Sequence, residues 1–190
     1  MKELALYILD IFYNSAAADA ALIRIAVKED SNRNLFSVKV TDNGCGIDRT
    51  LLKKVKDPFV TTRTTRKVGM GIPLLTQAAE QSGGNLVILS KKDFGTTLTA
   101  NFELDHVDRP PLGDMVSSLL AMILSLDEKN LIYTHSIDGI KITFDTREIR
   151  EIIGSAVSLS SPEEFKWIKE YLTELYNEFY LETSQSRERG

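Results

Sequence analysis

Apolar positions along this chain follow two periods that alternate. Leu4, Ile8 and Ile11, with Tyr7 and Phe12 beside them, recur at helical spacing and predict an amphipathic helix over residues 3–17. Ile23, Ile25 and Val27 then alternate with polar residues, as do Phe36, Val38 and Val40, and Asp30-Ser31-Asn32-Arg33-Asn34 lies between them as a turn. Strict alternation puts one side of each strand against a core, so this pair reads as a hairpin. Leu51, Leu52 and Val55 suggest a short helix that Asp57-Pro58 ends, since proline disfavours helix in the residue before it. Phe59 to Val68 has no apolar period. Ile72, Leu75, Ala78 and Ala79 mark a helix from Ile72 to Ser82, closed by Gly83-Gly84. A second hairpin follows, from Leu86 to Ser90 and then Leu98, Ala100, Phe102 and Leu104, turning at Asp93-Phe94-Gly95. Helices on one face of a mixed or antiparallel sheet give an α+β fold, a two-layer α/β sandwich.

The pattern breaks between Asp105 and Pro111, where Asp108-Arg109-Pro110-Pro111 has linker composition. We therefore expect two units, residues 1–105 and a C-terminal appendage of residues 106–190. The appendage reads as helix, β-hairpin and long helix. Leu112, Met115, Val116, Leu119, Leu120 and Ile123 form the first helix, over 112–126. Tyr133, His135 and Ile137 alternate into Asp138-Gly139, a hairpin turn pair, and Ile140, Ile142 and Phe144 continue beyond it. Ser161-Pro162-Glu163-Glu164 opens the last helix, whose Phe165, Ile168, Leu172, Leu175 and Phe179 step in threes and fours like a short coiled-coil seam. Docking of that seam on helix 112–126 and on the second subunit of a homodimer both fit it. Gln185 to Gly190 is expected to be disordered.

Composition narrows the function classes. The 190 residues are 43% hydrophobic and 26% charged, as in ordinary globular proteins. A formal charge of −4 argues against a dedicated nucleic-acid binder. One cysteine, Cys45, excludes an intrachain disulfide and a multi-cysteine metal site. The longest apolar run, Met115 to Leu126, is interrupted by Ser117, Ser118 and Ser125 and is too short to span a bilayer. MKELALYILD lacks the basic start and cleavage site of a signal peptide, so a cytoplasmic protein without membrane attachment is the expectation.

Candidate chemistry collects at five places. Asp10 and Asn14 lie four apart, hence on one helix face one turn apart, as oxygen donors suited to Mg²⁺ and to a water or hydroxyl. Asp42-Asn43-Gly44-Cys45-Gly46-Ile47 sets a carboxylate and two glycines at a strand exit. Thr61-Thr62-Arg63-Thr64-Thr65-Arg66-Lys67 puts hydroxyls and cations in a loop, which reads as a mobile lid donating to phosphate oxygens. Gly69-Met70-Gly71 follows at the mouth of a helix, where free N–H groups favour anions. Gly95-Thr96-Thr97 opens the last strand of the first unit.

In this order and spacing, Asp10…Asn14, Asp42-Asn43-Gly44-Cys45-Gly46, Gly69-Met70-Gly71 and Gly95-Thr96-Thr97 resemble the GHKL superfamily of DNA gyrase, the large heat-shock chaperone, histidine kinases and MutL. Phe59-Val60-Thr61-Thr62-Arg63 is most similar to sensor histidine kinases, and Asn14-Ser15 followed by alanines to MutL. The resemblance implies the Bergerat ATP-binding fold, ATP and Mg²⁺ over residues 1–105. It implies that Asn14 ligates Mg²⁺, that Asp42 accepts from the adenine amino group, and that Gly44, Gly46 and Ile47 pack on the ring. Thr96 would hold the adenine edge. Gly69, Met70 and Gly71 would give amides to the phosphates, with Thr62, Arg63, Arg66 and Lys67 around them. Asp10 stands where hydrolysing members carry glutamate and many histidine kinases asparagine, so it is the candidate base. The two histidines, His106 and His135, lack the helical context of a phosphoacceptor and read as ordinary surface or strand residues. The expectation is a kinase module acting on an unidentified protein partner or phosphoacceptor. The alternatives are a weak ATPase and an ATP-gated binding or dimerisation switch.

Overall fold

The computed structural model describes residues 3–52, 71–126, 128–154 and 157–188. In chain order the elements are α1 (Leu4–Ala17), β1 (Leu22–Asp30), β2 (Leu35–Asp42), α2 (Arg49–Leu52), α3 (Gly71–Gln81), β3 (Asn85–Lys91) and β4 (Gly95–Glu103). Then come α4 (Met115–Ile123), β5 (Asn130–Ile137), β6 (Ile140–Asp145), α5 (Thr146–Ile153) and α6 (Pro162–Glu188). The stretch holding Val55, Asp57-Pro58 and the basic loop lies outside the described residues.

All strands among the described residues join one six-stranded sheet of order β3-β4-β2-β1-β5-β6. Its pairings are antiparallel except β1 with β5, which run parallel with Ile25 beside Tyr133 and Val27 beside His135. Alternation sends Ile23, Ile25, Val27, Phe36, Val38, Val40, Leu98, Ala100 and Phe102 to one buried side. There α1 packs on α3 and α4, and α6 packs on α4 and β6. The fold is the α+β, two-layer sandwich expected from the pattern.

The C-terminal residues are tied into that sandwich. The first N–H groups of α1 donate to carbonyls beyond the linker, Leu4 to Pro111 at 2.9 Å and Ala5 to Leu112 at 2.8 Å. Helix starts leave such donors without intrahelical partners, so the segment before α4 completes α1. At the other end of α1, Lys129 Nζ donates to the Ala16 carbonyl at 2.7 Å.

One expectation needs correction. The tail is helical as far as Glu188, because Arg187 is held by Asp138 at 3.1 Å in the β5–β6 turn and the last turn of α6 is therefore anchored. His135 lies in a strand, β5, as expected, and is fully buried there: Nε2 faces Glu29 at 3.3 Å and Nδ1 faces the Tyr176 hydroxyl at 3.4 Å, which lies 2.6 Å from that of Tyr133. Burial holds both tyrosine hydroxyls well above their ordinary pKa, so they remain neutral.

Candidate functional site

The site grows from the end of β2. Pairing of β2 with β4 sets Asp42 opposite Thr96. Asp42 is buried, and its carboxylate is balanced by three donors. Oδ1 accepts the Gly44 N–H at 3.0 Å and the Thr96 N–H at 3.2 Å, while Oδ2 accepts the Ser15 hydroxyl at 2.7 Å. A buried carboxylate without partners would be costly, so this set of bonds explains how an acid sits at that depth.

The glycine turn after Asp42 is seated between α1 and the β3–β4 hairpin. Cys45 N–H donates to the Ala18 carbonyl at 2.8 Å, and Asp93 N–H donates to the Cys45 carbonyl at 2.7 Å. Gly46 has φ of +65° and presses on the Lys91 carbonyl, where any Cβ would collide. Just beyond, Ile47 N–H donates to Ser90 Oγ at 2.8 Å. Ser90 also bonds the Thr96 hydroxyl at 2.8 Å, so the Ile47 backbone and the Thr96 side chain share one partner.

A cleft of about 400 Å³ opens here, lined by Asp42, Leu52, Ile88, Ser90, Thr96 and Thr97 among others. Its volume suits a small organic ligand. Aliphatic side chains from α2 and β3 supply apolar wall, and Asp42 supplies a fixed acceptor.

The other half of the site lies along α1. Asp10 is exposed and Asn14 half-buried, one turn apart. Ser15, next to Asn14, turns inward to Asp42, so one turn of α1 links the two halves. The start of α3 meets α1 at Asp10, where a Cβ on Gly71 would lie 2.9 Å from Asp10 Cβ. Only glycine lets the two helices come this close. The N-terminal, positive end of α3 therefore lies beside Asp10.

The structure thus brings together Asp42, Gly44, Gly46, Ile47 and Thr96, and separately Asp10 and Gly71, with Asn14 between. Thr62, Arg63, Arg66, Lys67, Gly69 and Met70 lie outside the described residues. Ser15 and Ser90 were missed from sequence. Ser15 left a faint trace, as a polar residue four positions after the buried Ile11 on the apolar side of α1. Ser90 left none beyond its place at the end of a strand. Among the described residues no group of three or more His, Cys, Asp or Glu side chains could hold a metal on its own.

This constellation has relatives. The family model described as histidine kinase-, DNA gyrase B-, and HSP90-like ATPase matches residues 2–106, more than half of the chain. The chain belongs to that family. It is therefore an ATP-binding protein of the histidine-kinase-like group, as the four motifs implied. The signal transduction histidine-protein kinase AtoS of Escherichia coli strain K12 is 32% identical over 96 residues, 48% of this chain and 15% of the relative. The sensor histidine kinase CitA of Klebsiella pneumoniae is 34% identical over 62 residues, 33% of this chain and 11% of the relative. The chain thus spans only a small part of the curated relatives it matches. Among solved structures, the N-terminal domain of a DNA repair protein aligns with TM-score 0.53 and 14% identity, covering 75% of this chain and 52% of that one. That likeness bears on the fold alone. Among the described residues no helix is long and apolar enough to cross a membrane.

Proposed function

We propose that Mg-ATP binds with its adenine in the cleft at Asp42 and its phosphates toward Asn14 and the start of α3. On this reading the chain is a kinase module that phosphorylates a partner protein. The observation that carries it is the Asp42 carboxylate, fixed by two backbone amides and one hydroxyl beside a cleft of about 400 Å³. Asp42 accepts the adenine amino group, Gly44, Gly46 and Ile47 pack against the ring, and Thr96 holds its edge. Gly71 gives an amide to the phosphates; for Gly69, Met70, Thr62, Arg63 and Lys67, outside the described residues, the family resemblance is what implies a role toward phosphate.

The residues present fit Mg²⁺. Asn14 offers an amide oxygen, and magnesium characteristically takes few protein ligands and completes its shell with phosphates and water. When bound, the ion neutralises phosphate charge. On this reading Asp10, exposed beside the start of α3, orients a partner hydroxyl or a water. Phosphoryl transfer asks mainly for positioning and electrostatics, which these residues can supply. The likeness to sensor histidine kinases supports the kinase reading.

A second reading, an ATP-gated docking or dimerisation switch, is favoured by one feature. Residues 106–190 hold both ends of α1, through Pro111, Leu112 and Lys129. A shift of α1 on nucleotide binding would then reach the C-terminal layer. The outward side of α6, with Trp167, Tyr171 and Leu181, would be the docking face for a partner or a second copy. Incubating the pure chain with γ-labelled ATP, alone and with lysate of its source, separates the readings. The kinase reading expects label on protein. Free labelled phosphate alone identifies an ATPase, and neither product supports the switch.

A further inference from the structure

We propose that Ser15 is a positioning residue for base selection: its bond to Asp42 leaves the carboxylate able to pair only with a ligand edge that presents an N–H donor. The inference rests on the nucleotide reading above and adds to it the residue that sets the choice of base.

The argument follows from counting donors. The two lone-pair directions of Asp42 Oδ1 are taken by the Gly44 and Thr96 amides. Those amides hold one oxygen, but the terminal torsion of an aspartate is soft. The Ser15 hydroxyl, arriving at 2.7 Å from α1, holds the other oxygen and fixes the plane of the carboxylate. Oδ2 is left with one further lone pair for a ligand. The Ser15 proton is spent on Asp42, so the pair shows the cleft lone pairs alone. A purine with an exocyclic amino group meets them with N–H. A purine with an oxo group at that position sets oxygen against oxygen.

Ser15 is only 4% exposed, so water cannot readily replace its hydroxyl. It also sits next to Asn14, so the turn of α1 that orders the base acceptor carries the residue proposed for the phosphate end. Alanine at position 15 removes one oxygen atom and suits a helix interior, so the fold should tolerate it.

The test is calorimetric titration of the full chain with Mg-ATP and with Mg-inosine triphosphate, which carries oxygen in place of the amino group. Wild type should favour ATP. Ser15→Ala should bind ATP about 10–150-fold more weakly, the range for losing a buried hydrogen bond to a charged group, while inosine triphosphate changes by less than about twofold. In an Asp42→Asn background, Ser15→Ala should leave the ratio of the two affinities unmoved, because Ser15 acts through Asp42. Should Ser15→Ala melt at a much lower temperature, Ser15→Cys, of similar size and a weak donor, is read the same way. An unchanged ratio in Ser15→Ala, or equal losses for both nucleotides, overturns this inference and leaves the nucleotide reading standing. Failure of wild type to bind ATP overturns the nucleotide reading itself.

Discussion

Asp42 and Asp10 show how environment divides two carboxylates between two tasks. Asp42 is buried and saturated with donors on one oxygen, which suits recognition. Asp10 is exposed and stands at the mouth of α3, which suits chemistry. If Asp10 orients the nucleophile, Asp10→Asn leaves ATP affinity nearly unchanged and lowers turnover by about 10²–10⁴, the usual worth of a general base. Turnover equal to wild type at saturating ATP would remove Asp10 from the mechanism. His135 makes a different point. The arrangement that satisfies every donor runs from the Tyr133 hydroxyl to Tyr176 to His135 Nδ1, with Nε2–H facing Glu29. Tyr176→Phe breaks that chain in the middle and should lower stability by about 1–3 kcal/mol in urea unfolding, since it strands buried polar atoms. A loss below the error of that measurement would contradict the role. Asp10, Asn14, Asp42, Gly44, Gly46 and Thr96 were legible in sequence because each sits in a spaced motif. Ser90 was not, because it acquires meaning only when the β3–β4 register sets it opposite Thr96.

At the scale of elements, three aspartates hold helix starts and a tight turn. Asp114 caps α4, Asp145 caps α5, and Asp138 sits at the β5–β6 turn with φ of 49°. Hydrogen bonds hold all three below the usual carboxylate range: from the Ser117 side chain on Asp114, from the Ser31 backbone on Asp138 and from the Arg147 side chain on Asp145. A folded pKa below the unfolded value contributes stability above the unfolded value, near 4, and that contribution is lost as pH falls through the lowered folded one. Thermal melts from pH 6 to pH 3 should therefore drop at the acid end, and Asp138→Asn should flatten part of the drop. Because Asp138 and Arg187 are partly solvated, that part is at most about 1 kcal/mol. An identical acid profile in the variant would contradict the assignment. The pattern revealed α6 but neither its end nor α5. Helix α5 follows β6 with no loop between them and shows only an aspartate cap, two turns and Gly154. The end of α6 depends on Asp138, which lies 49 residues away in sequence.

The whole molecule is organised by pairing between β1 and β5, a parallel contact with no local signature. Alternation in β5 and β6 was readable, but their neighbour in the sheet was not. A chain ending near Asp105 would expose the β1 edge, uncover α1 where α4 packs, and remove the acceptors for the Leu4 and Ala5 N–H groups. We expect it to lose its cooperative melt and to aggregate in light scattering. A soluble, cooperatively folded truncated chain would show that the C-terminal layer is dispensable to the sheet. The central claim concerns where nucleotide sits, and amide NMR of the full chain titrated with Mg-ATP tests it most directly. The account predicts saturable shifts at Ser15, Asp42, Gly44, Gly46 and Thr96, with others at Asn14 and Gly71, and none concentrated on β6 or α5. Saturating ATP that leaves the Asp42–Ile47 turn and Thr96 unmoved would contradict it.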